Sequence, residues 1–370
     1  MNKIEKLIQE FCPDGVEYYE LGDIGKITIG EFVHKSRQSE NGRYPVYNGG
    51  TTNTGLYDDF NNTSNKIVVS ARGANAGYVN KVLVDYWAGN SCYSISFIDN
   101  FKIDWIFVYY YLKQNEHKLI GDQQKGGIPA ISKKMIERFK IPVPPLPVQQ
   151  EIVNILDKFT QLDEELNAEL EIRRIQYDCY LNQLMGFKDS EVEWKTLGEV
   201  AELKAGKSIS ATDISDVEDE EFKFKCIGGN GIRGYVKESS NFGDFPIIGR
   251  QGALCGNLFY ATGKFYATEH AVVVKSMGLL NQRFLYYLLN YMNLNQYSTG
   301  GAQPGLAVRT LNKILIPIPY LSEQERIVSI LDKFDALVND SKISIPAEIE
   351  ARRKQYAYYR NKLLTFGEYA

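Results

Sequence analysis

The stretch ILDKF at Ile155–Phe159 returns letter for letter at Ile330–Phe334, 175 residues later. Reading outward, LPVQQEIVNILDKF from Leu146 matches LSEQERIVSILDKF from Leu321. IPVPPL from Ile141 matches IPIPYL from Ile316, and RRIQY from Arg173 matches RRKQY from Arg352. Upstream, VEYYELGDI from Val16 matches VEWKTLGEV from Val192, and Phe11 and Phe187 each stand five residues before those valines. One unit therefore runs Phe, Val-Glu, Leu-Gly, a variable region, Ile-Pro-x-Pro and a long helix, and it runs twice. Phe366 closes the second copy where Phe11 opens the first. The short N-terminal helix, residues 2–11, is expected to pack beside the C-terminus and make the chain pseudo-circular.

The repeated ends read as helix. Ile152, Ile155, Phe159, Leu162 and Leu166 are spaced 3, 4, 3 and 4, a coiled-coil seam, and Ile327, Ile330, Phe334 and Leu337 repeat it. After Leu166 the pattern slips by four to Leu170 and resumes at Tyr177, Leu181 and Leu184, a stutter that locally unwinds a supercoil. The second copy is four residues longer and carries Pro346, which is excluded from a helix interior but favoured in a first turn. A break near residues 342–345 and a restart at Pro346 follow. An unbroken helix of roughly 38 residues is about 57 Å long, too long for one small domain to cover. Its own repeat is the natural partner, packed antiparallel around a pseudo-two-fold, with the two variable regions sent to opposite ends.

Those regions, 13–145 and 188–320, mix β-rich runs (KIVVSA, YSISFI, AVVVK) with Gly- and Asn-rich turns, and each ends in a helix-like aromatic run, DWIFVYYYLK and NQRFLYYLLN. The aromatic runs read as core. The formal net charge is −4, but residues 146–187 hold three basic and eight acidic side chains, while 13–145 are net +1 and 188–320 are neutral. The acidity sits in helix, so the variable regions are free to carry a basic face. Five cysteines without a C-x-x-C pair and three scattered histidines give no metal spacing and suit a reducing cytoplasm. No apolar run approaches the roughly 18 residues of a membrane helix, and the charged N-terminus is unlike a signal peptide.

Apparent enzyme motifs fail on spacing. ELKAGKS at Glu202–Ser208 ends like a phosphate loop, but Ala201 stands where the first glycine is needed. Glu202 with Lys204 is only half of a nuclease-type pair, and no nucleophile motif is present, so no catalytic chemistry is expected. Two other features read as binding surfaces. ARGANAG (Ala71–Gly77) is matched by RQGALCG (Arg250–Gly256), each a Gly-x3-Gly after an apolar run with an arginine just before it. The glycines allow close backbone approach, and arginine reads guanine edges or pairs with phosphate. Just before each Ile-Pro-x-Pro, GDQQKGGIPA (Gly121–Ala130) is matched by STGGAQPGLA (Ser298–Ala307), polar loops suited to phosphates and base edges. The two arginines are out of step, since Arg72 precedes its glycine by one residue and Arg250 by two.

With these junctions in view (LGDI and LGEV, IPVPPLPVQQEIVNILDKF and IPIPYLSEQERIVSILDKF, IPAEIEARRKQY) residues 11–366 resemble the DNA-specificity subunit of type I restriction-modification systems. The resemblance implies an α+β chain: a short N-terminal helix (1–12), target recognition domain 1 (13–145), conserved helical region 1 (146–187), target recognition domain 2 (188–320) and conserved helical region 2 (321–370). It implies that each domain reads half of a split duplex target while the antiparallel coiled coil sets the spacing. The coiled coil would also dock two modification subunits, through Ile152, Ile155, Phe159, Leu162, Leu166, Ile327, Ile330, Phe334 and Leu337. S-adenosylmethionine, ATP and Mg would belong to modification and restriction partners, and none to this chain. Half-sites about one helical turn apart, roughly 34 Å, suit such a reader.

The residues expected to touch DNA are Arg72, Asn75, Gln123, Gln124 and Lys125 in the first domain. In the second they are Lys207, Arg233, Arg250, Gln251, Asn257 and Gln303. Arg250→Ala is expected to cost about 1–3 kcal/mol on a cognate half-site if the arginine is bidentate to guanine. A coiled-coil protein–protein scaffold without DNA recognition is the alternative, and a fused nuclease a more distant one.

Overall fold

The computed structural model describes residues 6, 8, 10–98, 101–121, 129–189, 192–252, 254–299, 304–339 and 344–367. The chain divides into two units, residues 1–166 with 349–370, and residues 167–348. The first contains β1 (Tyr18–Glu20), α1 (Leu21–Ile24), β2 (Gly25–Ile29), β3 (Tyr44–Tyr47), β4 (Leu56–Tyr57), β5 (Lys66–Ser70), β6 (Val79–Val82), β7 (Trp87–Ala88) and β8 (Cys92–Phe97). Then come α2 (Trp105–Gln114), α3 (Glu116–Gly121), α4 (Lys133–Glu137) and β9 (Lys140–Pro142). Helix α5 (Leu146–Met185) follows and contributes to both units. The second unit repeats the plan with β10 (Glu193–Thr196), α6 (Leu197–Val200), β11 (Ala201–Ala205), β12 (Phe224–Gly228), β13 (Gly231–Val236), β14 (Asn241–Phe242), β15 (Phe245–Gly249), β16 (Leu258–Ala261), β17 (Lys264–Ala267), β18 (Ala271–Ser276), α7 (Gln282–Tyr291), α8 (Val308–Leu311), β19 (Leu315–Ile318) and α9 (Leu321–Asn339). Helix α10 (Ile345–Leu363) ends the order.

Strand pairing is shared by both, with β14 added to the smaller sheet of the second unit. The main sheets run β2-β8-β5-β6 and β11-β18-β15-β16, and the smaller ones β4-β3-β7 and β13-β12-β17-β14. The β3–β7 and β12–β17 pairs are parallel in otherwise antiparallel sheets. The apolar runs that defined β5 and β8 are buried on both faces, because alternate side chains serve different cores. Ile67, Val69, Tyr93 and Ile95 join the core under α2, whereas Val68 and Cys92 pack with Tyr86 and Ala88 of the smaller sheet. Ile248, Val272 and Val274 face α7, and Ile247, Ala271 and Val273 face the other way.

The repeated letters have physical reasons. Leu21 and Leu197 are fully buried, and their amides donate to the Phe139 and Ile314 carbonyls, at 2.9 and 2.8 Å. The next residue must be small: a Cβ on Gly22 would meet Glu137 at 3.1 Å, and one on Gly198 would meet Asn312 at 3.0 Å. The Ile-Pro-x-Pro runs form β9 and β19, paired with β1 and β10. Gln149 and Gln324 are buried straps. Gln324 Oε1 accepts from the Asn281 amide at 2.7 Å, while its Nε2 donates to the Pro319 and Leu279 carbonyls at 2.9 and 3.1 Å. Gln149 does the same for Asp104, Pro144 and Lys102. Each strap thereby ties the start of α5 or α9 to the N-cap of α2 or α7.

Within the first unit, Phe159 of α5 packs on Tyr359 and Tyr356 of α10, and Arg353 is bidentate to Asp163. Rising numbers on α5 meet falling numbers on α10, so the two run antiparallel. In the second unit the Tyr180 ring packs tilted against Phe334 at 5.1 Å, and Leu181 and Met185 share a core with Ile327 and Leu331 of α9. The stripe of α5 that is most deeply buried is Val148, Ile152 and Leu156. It departs from the expected Ile152, Ile155, Phe159 seam because the first turns of the helix pack on the domain core, not on another helix. Leu162 and Leu166 are half-buried, as are Ile155, Phe159, Ile330 and Phe334. Leu337 is a correction: it is 42% exposed, and Val338, at 7%, takes the inward place. Helix α9 stops at Asn339 and α10 starts at Ile345, which puts Pro346 in a first turn.

Near the N-terminus, residues 6, 8, 10 and 11 are helical, and Ile8 and Cys12 pack with Leu363, Leu364 and Phe366. The Val16 amide donates to the Gly367 carbonyl at 3.0 Å. Phe366 lies edge-on to Phe107 as Phe187 lies edge-on to Phe284, at centroid distances of 6.2 and 6.4 Å. Phe366 is therefore the packing counterpart of Phe187, and Phe11 is 43% exposed.

Candidate nucleic-acid interface

The two Gly-rich features of each variable region come together at one edge. In the first unit the chain leaves β5 through Ala71 and turns back, with Ala76 N donating to Gly73 O at 3.0 Å and Gly77 N to Ser70 O at 2.8 Å. Gly73 and Gly77 have φ of +90° and +98°, backbone that disfavours a side chain. Residues 129–131 lie alongside: Gly73 N donates to Pro129 O and Ile131 N to Ala71 O, both at 2.9 Å. The second unit repeats every bond. Cys255 N donates to Gly252 O at 3.0 Å, Gly256 N to Gly249 O at 2.7 Å, Gly252 N to Pro304 O at 3.0 Å and Leu306 N to Arg250 O at 2.9 Å. The turn before β8 or β18 completes the edge, with Ala71 N on Ser91 O at 2.8 Å and Arg250 N on His270 O at 3.0 Å.

These bonds fix the equivalences. Arg72 corresponds to Gln251, and Arg250 to Ala71, so the two arginines occupy different places. Arg72 and Asn75 are exposed. Gln123, Gln124, Lys125 and Gln303 lie outside the described residues.

In the second unit the expected side chains gather around the Gly228–Asn230 turn. Lys207 bridges the backbone at Thr268, and its amide donates to Ala267 O at 2.9 Å. Arg233 stands beside Gly228, whose Cβ would lie 3.9 Å from that of Arg233. Asn257 Nδ2 donates to Asn230 Oδ1 at 3.1 Å. The Gln251 carbonyl would be 3.7 Å from a Cβ on Gly229. Burial pushes the Cys226 thiol up, while Arg233 pulls it down and Glu269 pushes it up again.

The electrostatics there are unusual. Seven buried side-chain N or O atoms among the described residues lack a protein partner, and four of them sit on this edge: Arg250 Nε, Thr268 Oγ1, Glu269 Oε2 and His270 Nδ1. The other carboxylate oxygen, Glu269 Oε1, is 3.4 Å from His270 Nε2. Each buried polar atom left unpaired costs about 1–3 kcal/mol. The first unit shows that the fold does not demand them. Gly89, Asn90 and Ser91 stand where the second unit has Thr268, Glu269 and His270. There Asn48 Oδ1 accepts from Ser91 N at 3.2 Å, and Ser70 Oγ donates to Gly50 O at 2.9 Å. Sequence reasoning passed over Glu269 and His270; the signal was the contrast between TEH before β18 and GNS before β8.

Gly206, the glycine of the phosphate-loop-like stretch, has a structural task. A Cβ there would lie 2.2 Å from the Ala267 carbonyl oxygen, as one on Gly30 would from that of Ala88.

A family model described as the type I restriction modification DNA specificity domain matches residues 13–172 and 189–351. The chain belongs to that family. Among curated specificity-family relatives, the type I restriction enzyme EcoprrI specificity subunit of Escherichia coli is 42% identical over 257 residues, 66% of this chain and 64% of that protein. The match therefore spans less than two thirds of that relative. The EcoR124I/EcoR124II specificity subunit of the same organism is 34% identical over 290 residues, 70% of each chain. Among solved structures, the type I restriction-modification S subunit from M. genitalium shares the fold with a TM-score of 0.71, at 21% identity, over 95% of this chain and 96% of that one. In this specificity-family chain the doubled match falls on the two repeats read from the sequence.

Proposed function

We propose that this chain is the sequence-reading subunit of a type I restriction-modification assembly in the cytoplasm. Each unit reads one half of a split duplex target, and the chain performs no covalent chemistry itself. The observation that carries this reading is the recurrence of one hydrogen-bonded edge in both units with different side chains on it. A constant scaffold with variable polar groups is what two different half-sites require. Arg72 and Asn75 in the first unit, and Lys207, Arg233, Arg250, Gln251 and Asn257 in the second, supply donors for base edges and phosphates.

The helical repeats dock two modification subunits, and restriction subunits join the full assembly. Exposed apolar side chains on the helices support this: Ile172 and Ile175, three residues apart on α5, are 50% and 68% exposed. S-adenosylmethionine, ATP and Mg serve those partners. Among the described residues no helix is long and apolar enough to cross a membrane. The test is footprinting of the chain assembled with its modification subunits on a library of randomised duplexes. Two short protected blocks separated by unread base pairs are expected. Assembly with the partners but no sequence preference on any duplex would overturn the reading and leave the scaffold alternative.

A further inference from the structure

The four unpaired atoms on the second unit's edge carry a more specific statement, which rests on the DNA-reading function above. We infer that Arg250 and Glu269 together read a single G·C base pair of the second half-site, Arg250 on the guanine and Glu269 on the cytosine of the opposite strand. His270 acts as the positioning residue of the carboxylate.

The chemistry follows from the inventory of groups. Arginine only donates, and an ionised glutamate only accepts. In the major groove guanine offers two neighbouring acceptors, O6 and N7, and its partner cytosine offers the N4 donor. An A·T pair offers no two adjacent acceptors to a guanidinium fork. Arg250 Nε is buried without a protein partner, and no ion pair of Arg250 is found among the described residues. Its main chain is pinned on both sides, the amide on His270 O at 3.0 Å and the carbonyl accepting from Leu306 N at 2.9 Å. Gly249, just before it, lies so close to Gly229 that a Cβ would come 1.9 Å from that carbonyl. The same bond to His270 ties Arg250 to the Glu269–His270 turn, so donor and acceptor share one rigid frame. His270 Nε2 stands 3.4 Å from Glu269 Oε1, the Glu269 side chain stays 38% exposed, and Oε2 is buried without a protein partner, so the carboxylate keeps unused acceptor capacity. Thr268, fully buried, adds a hydroxyl with no protein partner beneath them. None of these groups exists in the first unit, where Ala71, Gly89, Asn90 and Ser91 take their places. The prediction is therefore confined to one half-site.

The experiment selects bound duplexes from a fully randomised pool, using the chain assembled with its modification subunits, and compares wild type with R250A, E269A and E269Q. The wild type should show one invariant G·C position in the second half-site. R250A and E269A should both relax that same position by roughly 5- to 140-fold in discrimination, the equivalent of about 1–3 kcal/mol. Preferences at the other positions and in the first half-site should stay, which serves as the folding control. E269Q should shift the tolerated base toward adenine, which glutamine reads. Loss of affinity that is uniform over all sequences would make Arg250 a phosphate contact and overturn the inference. Relaxation at two different positions, or at a position that is A·T in the wild type, would also overturn it. Either of these results leaves sequence preference intact and so spares the broader function; only a wild type without any preference would sink both.

Discussion

Replacing Gln324 with leucine isolates what the repeated buried glutamine does. The side chain is fully buried and makes three bonds, accepting from Asn281 N and donating to the Pro319 and Leu279 carbonyls. Leucine fills a similar volume but strands one amide and two carbonyls. At about 1–3 kcal/mol for each buried group left unpaired, the gross loss is about 3–6 kcal/mol, since the carbonyls fall at the low end. Burial of a leucine side chain returns about 1.5 kcal/mol or more, leaving about 2–4 kcal/mol. For a unit of this size that lowers the melting temperature by about 4–16 °C. The loss should also be local, because the stranded amide belongs to the N-cap of α7. Thermal unfolding with Gln324→Leu and exposed Glu325→Leu as the control tests this. Hydrogen exchange at the first turn of α7, Arg283 and Phe284, is the second readout. A shift no larger than that of Glu325→Leu, or unchanged protection at α7, would refute the strap.

Arg283 binds Asp332 and Asp335 and faces the rings of Tyr260, Tyr286 and Tyr287 at 4.6–5.0 Å. Arg283→Ala strands two carboxylates that keep some solvent, so a loss of about 2–3 kcal/mol by urea titration is expected. Gly206→Ala should cost about 3 kcal/mol or more, since the obstruction is backbone. Gly73→Ala, with positive φ but open space, should cost only about 1–2 kcal/mol in the same assay. Cys179 is exposed while Cys12, Cys92, Cys226 and Cys255 are buried, and burial pushes Cys92 up to about 12. A thiol reagent at pH 8 should label the native chain once, at Cys179, and five times after denaturation.

The repeat made the fold class readable, because helices and strands announce themselves by periodicity and the doubled letters fixed their order. What escaped depended on tertiary placement. A glutamine three residues into a helix reads as surface, so Gln149 and Gln324 gave no sign of their burial. Leu337 satisfied a heptad, but the neighbouring Val338 faces inward, since α9 packs on its domain as well as on α5. The one-residue offset of Arg72 and Arg250, by contrast, was legible by letter, and the hydrogen bonds carry it into the register. Glu269 and His270 belong to no motif, and they stand out only when their turn is laid over the saturated one in the first unit.

The hydrogen-bonded edge has a consequence for how such a chain changes over time. The bonds that both frames share run between peptide groups, so the side chains at Ala71 or Arg250, Gly89 or Thr268 and Ser91 or His270 are passengers on them. A lineage can trade those passengers, and with them the chemistry the edge presents, without renegotiating the architecture that holds them. Novel preferences are then reachable by a few point changes, each tolerable by itself to folding.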